Sequence, residues 1–270
     1  LYAIGECDYH YHGANRLGAN SLLSCIFSGL FVGPGVVELL KSSTGKIAAE
    51  QPSSLFEREV KRHQDRFDEL LRRDGGGENP YLIHQELGEV MTKAATVVRH
   101  NDELERAYGK VSELATRARN CSLSDTGRWT NQNVVFTLAL MDMFPLAKTI
   151  VKGALQRDEC RGAHYKPEFI LPEVDADDPS ERRLQAEDWC QQFGANLQKW
   201  LKSTVAAYNG EDPELSYEEV DTSLIPPRPR LYGLKGAEVI EEVWREQVSK
   251  SLGRPVRPPR TQGSVTTSTT

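Results

Sequence analysis

Tyr2-Ala3-Ile4-Gly5-Glu6 and, a few residues on, His12-Gly13-Ala14-Asn15-Arg16-Leu17-Gly18-Ala19-Asn20-Ser21-Leu22 form the densest stretch of this chain. The stretch reads as strand, glycine-punctuated loop and helix start. Leu1–Ile4 is an apolar, strand-like run, and Tyr9–Ala19 is the loop. A helix follows from about Asn20 to Lys41, with Asn20 or Ser21 suited to its N-cap. Its small residues (Ser24, Ser28, Gly29, Gly33) suit close packing against a sheet or a cofactor. A strand needs partners for its backbone groups, so a chain that opens on one is expected to continue a sheet built upstream of Leu1.

Three pieces of that stretch carry chemistry. An acid placed directly after a strand, Glu6, can accept ligand hydroxyls, as acids at strand ends do in dinucleotide sites. A lone Arg16 in a glycine-rich loop offers a planar fork of donors that matches a carboxylate. The helix start at Ser21 and Leu22 presents free backbone N–H groups and a partial positive charge, where an anion can rest. Singly, Glu6 or Arg16 is more often a structural salt-bridge partner. Their gathering in one short stretch balances the functional reading against the structural one.

The remainder reads as helices. Phe56, Val60, His63, Phe67 and Leu70 mark one period from Leu55, ending at Asp74-Gly75-Gly76-Gly77. Ile83, Leu87, Val90, Ala94 and Val97 mark a second, ending near His100. Leu104, Tyr108, Val111, Leu114 and Ala118 mark a third, capped by Asn101 or Asp102. Spacings of three and four place each set on one helical face, and short connections imply antiparallel neighbours in a bundle. These stripes are read as core.

A longer helix from about Asn131 to Cys160 carries Val134, Leu138, Met141, Leu146, Ile150 and Ala154, with Pro145 expected to kink it. An acidic, proline-marked loop follows, then a helix over Ser180–Lys202. Leu215–Val220 reads as a strand, and Lys235–Val248 as a last helix. The Pro/Arg/Ser/Thr-rich tail after Gly253 is expected to be disordered.

Composition narrows the possibilities. With 39% hydrophobic and 27% charged residues the chain has an ordinary globular make-up. A formal charge of −6 argues against a nucleic-acid surface. No run approaches the ~20 consecutive apolar residues of a membrane span, so membrane association is expected through a partner. Five scattered cysteines without CxxC spacing fit reduced thiols. Cys7, His10 and His12 are metal-ligating types without a fourth ligand nearby, so no metal site is assigned.

At this point the sequence resembles a known family. Tyr2–Glu6 and His12–Leu22 resemble the end of the FAD domain in succinate dehydrogenase and fumarate reductase flavoproteins. Arg157-Asp158-Glu159-Cys160-Arg161-Gly162-Ala163-His164 resembles the family's Glu-Ser-Arg-Gly-Ala-His turn, with Cys160 in place of Ser. Trp200-Leu201-Lys202-Ser203-Thr204 and the proline-rich Ile225–Arg230 resemble its later segments. The resemblance implies an α/β remnant closing a Rossmann-like FAD-binding domain (1–45), a mainly α-helical bundle domain (46–233), and a terminal helix with tail (234–270).

It further implies FAD as cofactor, with Glu6 on its ribose hydroxyls and Ser21 and Leu22 against the isoalloxazine edge. Arg16 would bind a carboxylate of succinate or fumarate. No proton-transferring residue is assigned, because the family's pyrophosphate loop, flavin-linking His and proton-transferring Arg have no counterpart here. The implied partners are an iron–sulfur subunit and a membrane-anchor subunit, which would hold the protein peripherally on the cytoplasmic face of the inner membrane.

Fumarate reductase is a close alternative, since one site runs in both directions. L-aspartate oxidase shares the fold but typically reads Ala-Ser-Asn-Ser where this chain has Gly18-Ala19-Asn20-Ser21. A non-catalytic helical interaction module is the remaining reading. For the final turn, Arg161-Gly162-Ala163-His164, helix capping is preferred to catalysis by His164.

Overall fold

The computed structural model describes residues 2–8, 20–43, 50–73, 75–210, 212–223, 226–231 and 233–256. Seven helices and one small sheet account for the regular structure among them. The chain divides into two compact units, one of residues 1–168 with 206–214, the other of residues 169–205 with 215–270.

The first unit holds five helices: α1 (Asn20–Ser42), α2 (Ser53–Arg72), α3 (Pro80–Ala95), α4 (Asn101–Ala118) and α5 (Gln132–Gln156). Helices α3, α4 and α5 pack on one another around Ile83, Leu87, Val111, Leu114, Leu140 and Phe144. A second layer, with Ala94, Leu104, Ala107, Val151 and Ala154, continues that core toward the far end of α5. Burying each large apolar side chain contributes roughly 1.5–3 kcal/mol, so these layers hold the bundle.

Start signals agree with the sequence where a cap is present. The Asn131 side chain accepts from Val134 N at 3.1 Å to begin α5, and Asn79 accepts from Tyr81 N at 2.9 Å to begin α3. Arg117 then ties α4 to α3. Its guanidinium meets Glu78 at 2.6 Å and Glu86 at 2.8 Å, and that hydrogen bond holds the Glu86 carboxyl below its usual range.

In the second unit α6 (Pro179–Trp200) packs on α7 (Ala237–Leu252). Their contact is Ala186, Trp189 and Cys190 against Ile240, Val243 and Trp244, closed by Val174. Asp178 caps α6 by accepting from Ser180 N and Glu181 N. Two paired strands, β1 (Lys202–Ala207) and β2 (Glu214–Glu219), follow α6; so short a connection makes them antiparallel.

Several expectations change here. Residues 2–4 are not part of a strand; they run unpaired into a 3-10 turn, Gly5–Cys7. The sheet among the described residues has two strands, so the Rossmann-like remnant has no parallel sheet to show. Helix α6 ends at Trp200, two residues before the expected Lys202, and Lys202–Ala207, not expected as a strand, form β1.

The stripe on α2 is core only at its end: Leu70 is buried, whereas Phe56 and Val60 face outward. On α5 the buried set is Val134, Leu140, Phe144, Ala147, Val151 and Ala154, and Leu146 and Ile150 are exposed. Finally, α1 and α5 are both long and apolar enough to cross a membrane by length and composition, which a search for uninterrupted apolar runs does not find. The tail from residue 257 lies outside the described residues.

Candidate functional site

The turn Gly5–Cys7 and the first turns of α1 form one local assembly. Gly5 is buried with φ +67, and a Cβ added to it would meet Cys25 Sγ at 3.0 Å. An L side chain would therefore carry both the conformational cost of the left-handed region and a close contact. Glycine lets this turn sit flat on α1. Because Cys25 lies one turn beyond Ser21, the contact sets Glu6 beside the beginning of the helix.

Glu6 itself is exposed, and its carboxylate has no hydrogen bond or ion pair among the described residues. Among the described residues the N–H groups of the first turn of α1, including those of Ser21 and Leu22, have no helical carbonyls to meet. Ser21 is half-buried and its carbonyl accepts from Ser24 Oγ at 2.8 Å; Leu22 is 75% exposed. Ile26, Leu30 and Phe31 continue this open apolar face, while Ser28 is buried with no hydrogen bond for its Oγ among the described residues. An acceptor, a row of free donors and an apolar surface thus share one end of α1. That set can hold one flank of a large, hydroxyl-bearing, anionic ligand with an apolar ring.

The structure brings Glu6, Ser21 and Leu22 into this assembly. Arg16, with His10 and His12, lies outside the described residues. Asn20 and Ser21 both lie within α1, so they are helical residues rather than caps. The left-handed Gly5 was the feature the sequence reading missed. Its one signal was a glycine between an apolar run and an acid.

A second polar centre closes α5. Glu159, 1% exposed, accepts from Arg157 Nη1 at 2.6 Å and from Arg161 Nη2 at 2.9 Å. His164 Nε2 donates to Arg157 O at 2.7 Å, while its Nδ1 accepts from Arg99 Nη1 at 2.7 Å. Buried Lys166 donates to Leu155 O at 3.1 Å and Asp158 Oδ1 at 3.0 Å. Burial pushes the Cys160 thiol up and the His164 imidazole down. Both His164 nitrogens are engaged inside the protein, so this histidine ties off the end of the helix and is not available for proton transfer.

Gly162 takes the left-handed conformation expected of it, at the turn joining Arg161 to His164; α5 ends six residues earlier, at Gln156. Arg161 serves Glu159 rather than the last helical carbonyls.

The chain is 42% identical over 237 residues to a Bacillus subtilis succinate dehydrogenase flavoprotein subunit, covering 87% of this chain and 36% of that protein. It is 27% identical to the Escherichia coli fumarate reductase flavoprotein subunit, covering 86% of this chain and 35% of the relative. Among solved structures, an E. coli quinol fumarate reductase superposes with a TM-score of 0.67 at 27% identity, over 86% of this chain and 36% of the other. A Mycobacterium smegmatis Sdh1 complex superposes with 0.64 at 25% identity, over 92% and 36%. The chain therefore spans about a third of the length of the relatives it matches. Residues 84–232 match the family described as fumarate reductase flavoprotein C-term, and the chain belongs to that family.

Proposed function

We propose that this chain is the C-terminal part of an FAD-dependent flavoprotein subunit that oxidises succinate to fumarate and passes electrons to an iron–sulfur subunit and on to quinone. The observation that carries the reading is the glycine-dependent turn that sets the exposed Glu6 carboxylate beside the start of α1. In this reading Glu6 accepts from the FAD ribose hydroxyls. Ser21 and Leu22 offer backbone N–H groups to the isoalloxazine edge, and Arg16 binds a substrate carboxylate. The outward apolar side chains of α1 pack within the flavin domain rather than in lipid.

When bound, the flavin supplies a two-electron acceptor for the hydride leaving a succinate methylene. The chain's own residues bind and orient, and none is assigned the proton that leaves the neighbouring carbon. No GxGxxG pyrophosphate loop occurs in the 270 residues, so that part of the flavin site would come from residues outside them. Attachment to the cytoplasmic face of the membrane would run through the iron–sulfur and membrane-anchor partners.

Succinate oxidation is preferred to fumarate reduction on one observation: identity is 42% to a succinate dehydrogenase subunit but 27–29% to several fumarate reductase subunits. The test is to purify the complete polypeptide with its partner subunits and measure bound flavin, succinate-dependent dye reduction and fumarate reduction. Flavin content near one per chain with faster succinate oxidation is expected. A flavin-free, inactive protein would sink the reading, and faster fumarate reduction would reverse its direction.

A further inference from the structure

A second cavity lies away from the α1 assembly and takes no part in the flavin reading. It is a cleft of about 570 Å³ bounded by α2, the end of α4, α5 and the turn after β1. Its walls carry Arg62, Arg66, Arg119 and Lys148 with His63, against one carboxylate, Asp142. Among the described lining residues the cations outnumber the acids, in a chain of net charge −6.

Three of those cations are already held in place. Arg62 meets Glu59 at 2.8 Å, Arg66 meets Asp142 at 3.0 Å, and Lys148, 13% exposed, meets Asp212 at 2.8 Å. Glu59 and Asp212 do not themselves line the cleft, so the paired cations keep donors on its walls, and Arg119 adds a positive charge that none of these carboxylates offsets. Arg119 makes no side-chain hydrogen bond or ion pair among the described residues. Phe144, Met141 and Pro145 supply apolar wall, which raises the local field that the cations exert on an entering anion. The volume lies within the range of small-molecule sites, roughly 300–1,000 Å³. Fixed guanidinium forks pair with planar or tetrahedral oxyanions at low ordering cost.

We propose that this cleft binds a small organic polyanion bearing at least two phosphate or carboxylate groups. One group meets the free Arg119, and another engages the pinned Arg66 and Lys148. Arg119 is exposed and its side chain supports no other described residue, so its replacement tests binding without disturbing the fold.

The experiment is calorimetric titration of the complete flavoprotein with inorganic phosphate, pyrophosphate and citrate at low salt. Pyrophosphate or citrate should bind, and inorganic phosphate roughly tenfold more weakly. Binding of pyrophosphate alone identifies a phosphate ligand, and of citrate alone a polycarboxylate. Arg119→Gln should weaken binding about tenfold, with succinate kinetics unchanged, and Arg119→Lys should weaken it less, since the charge stays while the bidentate fork is lost. Added salt should weaken it further. No binding up to about 10 mM, or affinity indifferent to Arg119→Gln, would overturn the proposal. Equal affinity for phosphate and pyrophosphate would overturn the requirement for two anionic groups.

Discussion

Arg99 donates from Nη1 to Nδ1 of His164 across 2.7 Å, although the two residues are 65 positions apart. The same pairing continues through the backbone, with Arg99 N donating to Tyr165 O at 2.9 Å. This tie joins the segment before α4 to the segment after α5. It also fixes the chemistry of the imidazole, which must accept at Nδ1 and donate at Nε2 to Arg157 O.

That arrangement predicts acid sensitivity. Burial, chiefly, holds His164 below the usual histidine value, and the Arg99 charge adds to it. The unfolded histidine titrates near pH 6.5. The stability that the neutral ring contributes is therefore complete above about pH 6.5 and is lost as pH falls through the lower folded value. Urea midpoints should drop between about pH 7.5 and 5.5 in the wild type. His164→Gln, which keeps an acceptor and a donor but does not titrate, should show a flatter profile. Equal slopes for both proteins would remove His164 from this role.

His100, at the edge of the same tie, works in the opposite direction. Its Nδ1 meets Glu168 Oε1 at 2.6 Å, and that hydrogen bond raises the imidazole above its usual value. The contribution is present below about pH 6.5 and is lost as pH rises through the raised folded value. Both side chains are exposed, so screening keeps the effect small and salt-dependent. Glu168→Gln should lower the midpoint slightly at about pH 6 and leave it unchanged at about pH 9. A deficit that is the same at both pH values would mean that the pair acts through packing.

How much of this was legible in the sequence follows from the range of the interactions. The extent of α1 and the start of α4 were readable to within a residue or so, because composition and periodicity act locally, but the caps were not: Asn101 and Asp102 lie inside α4, whose cap position is His100, with no side-chain cap bond. The buried face of α5 was not readable either. Phe144 and Val151 were absent from its expected stripe, since α5 packs against α2, α3 and α4 and so buries more than one face. Strand β1 was hidden because Trp200–Thr204 continues the helical texture of α6 until its partner β2 is in place. At the candidate site Glu6, Ser21 and Leu22 were legible as residue types. The Gly5–Cys25 contact that brings them together was not, because it depends on a backbone conformation. The Arg99–His164 tie has no local signature at all.

Gly5 yields a prediction that separates scaffold from site. Gly5→Ala places a Cβ 3.0 Å from Cys25 Sγ at φ +67. The left-handed conformation costs an L residue roughly 1–2 kcal/mol, and the turn must also lift off α1. In the complete polypeptide this should move Glu6 away from the helix start and lower flavin content, with only a modest fall in melting temperature. Flavin content measured by absorbance, alongside circular dichroism melting, checks it. Full flavin loading in a destabilised variant would show that the turn serves folding and does not position Glu6 for the cofactor.

Arg16 is the sharpest test of the proposed substrate site. A dicarboxylate entering a closed site brings two charges whose desolvation must be offset by paired donors. Arginine presents a fixed bidentate fork, whereas lysine offers a flexible point charge that cannot match both oxygens of one carboxylate. Arg16→Lys in the complete polypeptide should keep the flavin, raise KM for succinate and slow turnover. The loss should fall toward the lower end of the roughly 2–5 kcal/mol expected when a buried charged pair is broken, since the charge itself is kept. A structural role, with Arg16 bridging to an acid such as Glu6 or Asp8, makes a different prediction: a lower melting temperature with near-normal kinetics per folded molecule. Thermal melts and succinate kinetics on this single variant therefore decide between the two. Unaltered succinate affinity in a destabilised enzyme would assign Arg16 to the scaffold.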